Sequence, residues 1–208
     1  MSDTTRPRVL FIDNYDSFTY NLAQCAGALG WHAIVHLNDS TSPQRIRSLS
    51  PDALLISPGP GKPSDSGCSV SVASELSGSM PLLGVCMGHQ CIASAFGADV
   101  IKAPNGLVHG KGSLIGHEGN GIFAGIDNPM HAGRYHSLVV DVTSFPSHVL
   151  RPTAWDEHGT IMALRHREFN DTVGVQFHPE SIITDNGADV LQNFLDTALN
   201  VQTDPDRS

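Results

Sequence analysis

The chain is short of basic residues and of charge altogether. It holds 12 Lys and Arg against 21 Asp and Glu, a net charge of -9 with histidine neutral. That balance argues against nucleic acid and against membrane surfaces as partners, because both reward basic surface. Long apolar runs are missing too. Leu82-Leu83-Gly84-Val85-Cys86-Met87-Gly88 is among the longest, and a membrane span needs roughly 18–20 residues. After Met1 the chain is polar, and Val9-Leu10-Phe11-Ile12 is too short for the apolar part of a secretion signal, so a cytoplasmic location is expected. The four cysteines (Cys25, Cys68, Cys86, Cys91) have no framework spacing and no Cys-x-x-Cys, which predicts free thiols in a reducing compartment. Metal-ligand spacing is absent as well. His32 and His36 lie on a strand pattern without a Cys or carboxylate partner, and His117-Glu118-Gly119-Asn120-Gly121 is not His-Glu-x-x-His, so no metal site is expected.

What is there reads as one folded domain. Hydrophobic residues make up 40% and charged residues only 16%, a globular balance. The 208 residues correspond to about 1.4 domains at ~150 residues each, so one compact domain is the prior. The 20 glycines and 13 prolines imply many tight turns.

The first half alternates strands and helices. Arg8–Ile12, Ala33–Leu37, Ala53–Ile56 and Pro81–Val85 are short apolar runs suited to strands covered on both faces. Between them, Ser17–Leu29, Pro43–Leu49 and Val70–Leu76 carry helical spacing, and Met87–Phe96 follows the fourth strand; Gly30 and Gly97 stop the first and last helices. This order predicts an open α/β sheet, mostly parallel, with helices on both faces. From about Asp99 short strand-like runs succeed one another: Val100-Ile101, Ser113–Ile115, Leu138–Val140, Ile161–Leu164 and Val173–Phe177. They predict antiparallel additions to the sheet. Ala188–Leu199 reads as a closing helix, and residues 1–7 and 202–208 as loose tails around a domain spanning 8–199.

Three segments at predicted strand ends could do chemistry, because sites of open α/β sheets lie beyond the carboxyl ends of strands. Gly84-Val85-Cys86-Met87-Gly88 has the form of a nucleophile elbow with Cys in place of Ser. Its glycines permit a sharp turn. Cys86 then opens a helix, a position that favours thiolate, and the N–H of Met87 can face an oxyanion. Cys25, Cys68 and Cys91 have no such context and read as structural. In Gln176-Phe177-His178-Pro179-Glu180-Ser181, His178 suits a base and Glu180 suits its orienter. Ser57-Pro58-Gly59-Pro60-Gly61-Lys62-Pro63 is no phosphate-binding loop, because Pro63 stands where Ser or Thr is needed. It reads as a stiff turn in which Gly59 or Gly61 could supply a second oxyanion amide.

These segments together resemble the class I glutamine amidotransferases. Within that family the match is to the glutaminase subunits of anthranilate synthase and aminodeoxychorismate synthase. It rests on Phe11-Ile12-Asp13-Asn14-Tyr15-Asp16-Ser17-Phe18-Thr19-Tyr20-Asn21-Leu22, Ser57–Gly61, Leu83–Gln90, Arg134-Tyr135-His136-Ser137-Leu138 and Gly174–Ser181, across residues 8–199. The resemblance implies the family's flavodoxin-like fold and a triad of Cys86, His178 and Glu180. It implies an oxyanion hole at Gly59 and Met87, and glutamine held by Gly59, Pro60, Gly61, Gln90, Ser137 and Leu138. The roles of Gln90, Ser137 and Leu138 come from the resemblance alone.

The resemblance also implies a partner, a chorismate-binding synthase that takes up ammonia from L-glutamine. The expected product is anthranilate, for tryptophan. The alternative is 4-amino-4-deoxychorismate, for folate, or both products. No cofactor is implied in this chain, and magnesium is expected only in the synthase. His109-Gly110-Lys111 matches a family segment, whereas Gly112, Gly133 and the polar Arg167-Glu168-Phe169-Asn170-Asp171 depart from the pattern. A stand-alone Cys hydrolase and a non-catalytic binding module are the rival readings; the first would need no partner, and the second would tolerate loss of the triad.

Overall fold

The computed structural model describes residues 6–104, 106 and 110–202. His109 and most of both tails lie outside the described residues. In chain order the elements are β1 (Arg8–Asp13), α1 (Thr19–Ala28), β2 (His32–Leu37), α2 (Pro43–Leu49), β3 (Ala53–Ile56), α3 (Ser69–Leu76), β4 (Leu82–Val85), α4 (Met87–Ala95), β5 (Val100–Lys102), β6 (Lys111–His117), β7 (Met130–Arg134), β8 (Leu138–Val140), β9 (Leu150–Asp156), β10 (Ile161–His166), β11 (Thr172–Val175) and α5 (Gly187–Gln202).

One sheet runs in the order β2-β1-β3-β4-β11-β10-β9-β6-β7. The five strands from β2 to β11 are parallel, and β10, β9, β6 and β7 continue the sheet antiparallel. Successive side chains of a strand point to opposite faces, so the apolar runs of β1, β3 and β4 feed two cores at once. Val9, Phe11, Ala53, Leu55, Leu83 and Val85 join one core with Leu22 and Ala26 of α1 and Val190, Leu191 and Phe194 of α5. Leu10, Ile12, Leu54, Ile56 and Leu82 join the other with Ile46 of α2, Val72 and Leu76 of α3 and Ile92 of α4. Each fully buried Leu, Ile or Phe contributes about 1.5–3 kcal/mol.

The alternating half therefore stands as expected, with boundaries moved by a residue or two. Two features of the second half differ. β11 is not an antiparallel addition but pairs parallel with β4, as the seam between the two halves, and it is buried on both faces. β5 and β8 leave the main sheet and pair with each other. Two further strands carried no sequence signal. β9 contains Pro152, which demotes a run as a strand; β7 (Met-His-Ala-Gly-Arg) lacks β-branched residues. Just ahead of β1, Pro7 O accepts from His32 N at 2.8 Å. Among the described residues no helix is long and apolar enough to cross a membrane.

Candidate active site

Because β1, β3, β4 and β11 are parallel, their carboxyl ends meet at one edge. That edge gathers Asn14, the Ser57–Gly61 loop, Cys86 and the Gln176–Glu180 segment. The turn at Cys86 is tight. Its φ of 52° and ψ of -99° lie outside the usual regions for a side-chain-bearing residue, a conformation that costs about 1–3 kcal/mol. Cys86 N donates to Val175 O at 2.8 Å, tying the elbow to β11. The flanking glycines are required by close approach. A Cβ on Gly84 would lie 2.4 Å from the backbone of Gly88, and one on Gly88 would lie 2.2 Å from Ile56 O. Cys86 is the residue immediately before α4, so the Met87 N–H lies in the first turn, where helical N–H groups have no helical acceptor.

His178 is brought against Cys86 by a segment pinned to β7. His178 N donates to Gly133 O at 3.0 Å, and Asp185 N to His131 O at 2.9 Å; Gly133 N donates to Thr184 Oγ1 at 2.9 Å. A Cβ on Gly133 would press on Ser181 and Ile183 at 3.0–3.3 Å, which gives this departure from the family pattern a packing role. Gly112 likewise leaves room for the His131 ring across the ladder. Glu180 accepts from His178 Nδ1 at 2.6 Å, with both side chains buried. Phe18 and Tyr135 meet the imidazole edge-on, with centroids at 5.5 and 5.0 Å. The other ring nitrogen, Nε2, is buried without a well-aligned partner, and the ring interacts with the Cys86 thiol. Burial opposes charge on this ring, but the bonds to Cys86 and Glu180 outweigh it and push the imidazole up to about 10.

Gly59, Pro60, Gly61, Cys86, Met87, Gln90, Tyr135, His136, Ser137 and Leu138 line an open cavity at this edge. All the residues named from the sequence thus converge, with His178 and Glu180 behind Cys86. Sequence reasoning missed Gln176. Its side chain is fully buried, and its Nε2 donates to Cys86 Sγ at 3.6 Å. Gln90 Nε2 donates both to Gln176 Oε1 and to Leu138 O, at 3.1 Å each. The signal was available: residues 176 and 178 share a face in extended chain, and a Gln there is polar among Val175 and Phe177. His136 was also passed over. It accepts from Arg134 Nε at Nε2 (3.0 Å) and meets Leu138 O at Nδ1 (3.1 Å). Arg134 can only donate, so the His136 proton sits on Nδ1. Burial and the neighbouring Arg134 push His136 down to about 4. The remaining cysteines are free, as expected; burial pushes Cys91 up to about 12 and raises Cys25 and Cys68. Among the described residues no three His, Cys, Asp or Glu side chains group as a metal site.

Known proteins share this arrangement of sequence and fold. The family model for class-I glutamine amidotransferases matches residues 10–198. Anthranilate synthase beta subunit 2, chloroplastic, of Oryza sativa subsp. japonica is 52% identical over 92% of the chain and 71% of its own length. Anthranilate synthase component 2 of Porphyra purpurea is 49% identical over 91% and 99%. Aminodeoxychorismate/anthranilate synthase component 2 of Bacillus subtilis is 50% identical over 91% and 96%. The crystal structure of a GMP synthase subunit from Thermoplasma acidophilum superposes with a TM-score of 0.84 over 95% of the chain and 96% of its own, at 21% identity; that likeness bears on the fold alone.

Proposed function

The chain belongs to the class-I glutamine amidotransferases, and on that premise we propose that Cys86, His178 and Glu180 release ammonia from L-glutamine for a separate chorismate-binding synthase that forms anthranilate. The observation that carries the reading is the buried His178–Glu180 pair at 2.6 Å behind Cys86, at the wall of the cavity that Gly59, Met87, Gln90 and Leu138 share.

The Cys86 thiolate attacks the side-chain amide carbon of glutamine. The carbonyl oxygen takes the charge and is held by the N–H groups of Gly59 and Met87. Protonated His178 passes its proton to the departing nitrogen, and ammonia leaves. Water, deprotonated by His178, then attacks the γ-glutamyl thioester; glutamate leaves and the thiolate returns. Gly59, Pro60, Gly61, Gln90, Ser137 and Leu138 hold the glutamine. Magnesium has its place in the synthase in this reading, and the chain works in the cytoplasm. Ammonia free in neutral water is mostly protonated and no longer nucleophilic, so direct transfer between the two polypeptides suits the chemistry. Stimulation by the synthase then means that docking selects the competent oxyanion loop.

The test is glutamate release by the purified chain, with and without a chorismate-binding synthase, beside Cys86→Ser. Release that rises with the synthase and vanishes in the variant is expected. Glutamine left intact with every such synthase overturns the proposal. The name of the Bacillus subtilis relative favours a second product, aminodeoxychorismate, and analysis of the aminated compound in the same reaction distinguishes the two.

A further inference from the structure

The turn after β1 carries Asp13-Asn14-Tyr15-Asp16-Ser17-Phe18, and apart from Phe18 it has no part in the chemistry above. Asn14 lies at its centre, buried at 3% exposure. Its side chain joins three other segments. Nδ2 donates to Ser57 O at 2.9 Å. Oδ1 accepts from Ser69 Oγ at 2.7 Å and from Asn38 Nδ2 at 3.0 Å. A carbonyl oxygen can only accept, so the bond to Ser57 O fixes which end of the amide faces the loop. The main chain adds a second brace. Asn14 N donates to Ser57 Oγ at 2.9 Å, and that hydroxyl donates to Pro58 O at 2.7 Å. Gly59 then rests directly on Asn14: a Cβ there would lie 2.5 Å from Asn14 Cβ and 2.8 Å from Asn14 O. The far end of the loop is held separately, by Lys62 N donating to Asp65 Oδ2 at 3.2 Å.

We propose that Asn14 is the positioning residue of the oxyanion loop: it clamps Ser57-Pro58-Gly59 so that the Gly59 N–H points at the developing oxyanion. The proposal rests on the glutaminase reading and names what holds that site's geometry. Asn is needed because the position must donate to the loop and accept from Asn38 and Ser69 at once. Aspartate would keep both accepted bonds, lose the donor, and set a negative oxygen against Ser57 O. Asn14→Asp therefore separates the clamp from the bonds that hold the surrounding fold.

The experiment compares parent, Asn14→Asp and Ser57→Ala in the complex with the synthase. Two rates are read: glutamine hydrolysis, and alkylation of Cys86 by iodoacetamide, which needs the thiolate but no oxyanion hole. Burial raises Cys25, Cys68 and Cys91, and subtraction of the Cys86→Ser signal isolates the nucleophile. Asn14→Asp is expected to lower kcat about 10- to 100-fold, with KM for glutamine within about twofold and the alkylation rate unchanged. Ser57→Ala, which removes the second brace, should repeat the pattern if Asn14→Asp does not fold. A parental kcat in a folded Asn14→Asp overturns the proposal, and so does an equal loss of hydrolysis and alkylation. Glutamine untouched by the parent complex sinks the glutaminase reading instead. Crystal structures of parent and variant then decide on Asn14 without turnover: a Gly59 N moved by about 0.5 Å or more supports the clamp, and an unmoved one overturns it.

Discussion

Gln176 and Glu180 touch opposite partners of the reacting pair, and each makes a separable prediction. Gln176 donates its amide to Cys86 Sγ while Gln90 holds its oxygen, so the thiolate has a fixed neutral donor besides His178. Hydrogen bonds to charged groups contribute about 1.5–3 kcal/mol. Gln176→Leu should therefore slow Cys86 alkylation at pH 7 by roughly 10-fold and lower kcat at least as much; an unchanged rate would make the 3.6 Å contact mere packing. Glu180 acts on the proton. The imidazole is pushed up to about 10, with Glu180 among the groups that raise it, so His178 stays protonated through neutral pH and can supply ammonia's proton. Hydrolysis should hold through neutrality and fall as pH rises toward 10. Glu180→Gln removes one raising influence, so that alkaline limb moves to lower pH, and the pH profile of kcat reads the shift directly. A limb in the same place would show that Glu180 only orients the ring.

At the scale of elements, the elbow is a packing problem between α4 and β3. The Gly88 Cα sits so close to Ile56 O that a methyl group would fall at 2.2 Å from it. Gly88→Ala must drive the helix off the sheet, and overpacking of this kind costs about 1–3 kcal/mol. A lower Tm together with slowed glutamate release is expected, and a parental Tm would refute the close approach. The glycines of this elbow were legible because a motif demanded them, and β1, β3 and β4 were legible because strands buried on both faces read as continuous apolar runs. β9 was not, since Pro152 interrupts its run, and it pairs with Leu164 at a register irregularity. β11 reads as a strand, but its parallel pairing with β4 is not written in its residues. Sequence order says nothing about where a chain re-enters a sheet, and here it returns beside β4 after four antiparallel strands. The triad is legible all the same, because the place of His178 depends on where the strand ends and not on its direction. Gln176 and Asn14 escaped notice because their work lies in contacts with residues 90 and 57, far away in sequence and close only once the parallel strand ends are aligned.

Across the whole molecule, buried histidines make folding sensitive to acid, His89 and His136 most strongly. His89 is wholly enclosed in α4, its Nδ1 about 3.0 Å from where a Gly174 Cβ would stand. Burial pushes it down to about 3, against which the Gly174 carbonyl acts only in part. His136 lies near 4 for the reasons of burial and Arg134. Both take up protons in the unfolded chain near pH 6.5 but not in the folded one. Each is thus without effect above about 6.5 and costs stability progressively as pH falls toward 4 and 3. His178 has the opposite sign: its raised value adds stability as pH falls from about 10 to 6.5 and nothing further below that. Below pH 6.5 the slope is therefore left to the lowered pair and to His166, which burial also lowers, apart from carboxylates that titrate further down. One pH unit on one group is about 1.4 kcal/mol, so His89 and His136 together remove about 4 kcal/mol by pH 5, a large share of a typical 5–15 kcal/mol. Urea midpoints measured from pH 7 to pH 5 should fall steeply, and His89→Gln, which cannot titrate, should flatten up to half of that slope whatever its own stability at pH 7. A parental slope in His89→Gln would mean that the folded protein admits a proton at this ring, and that α4 behind the nucleophile opens more readily than its packing against Gly174 implies.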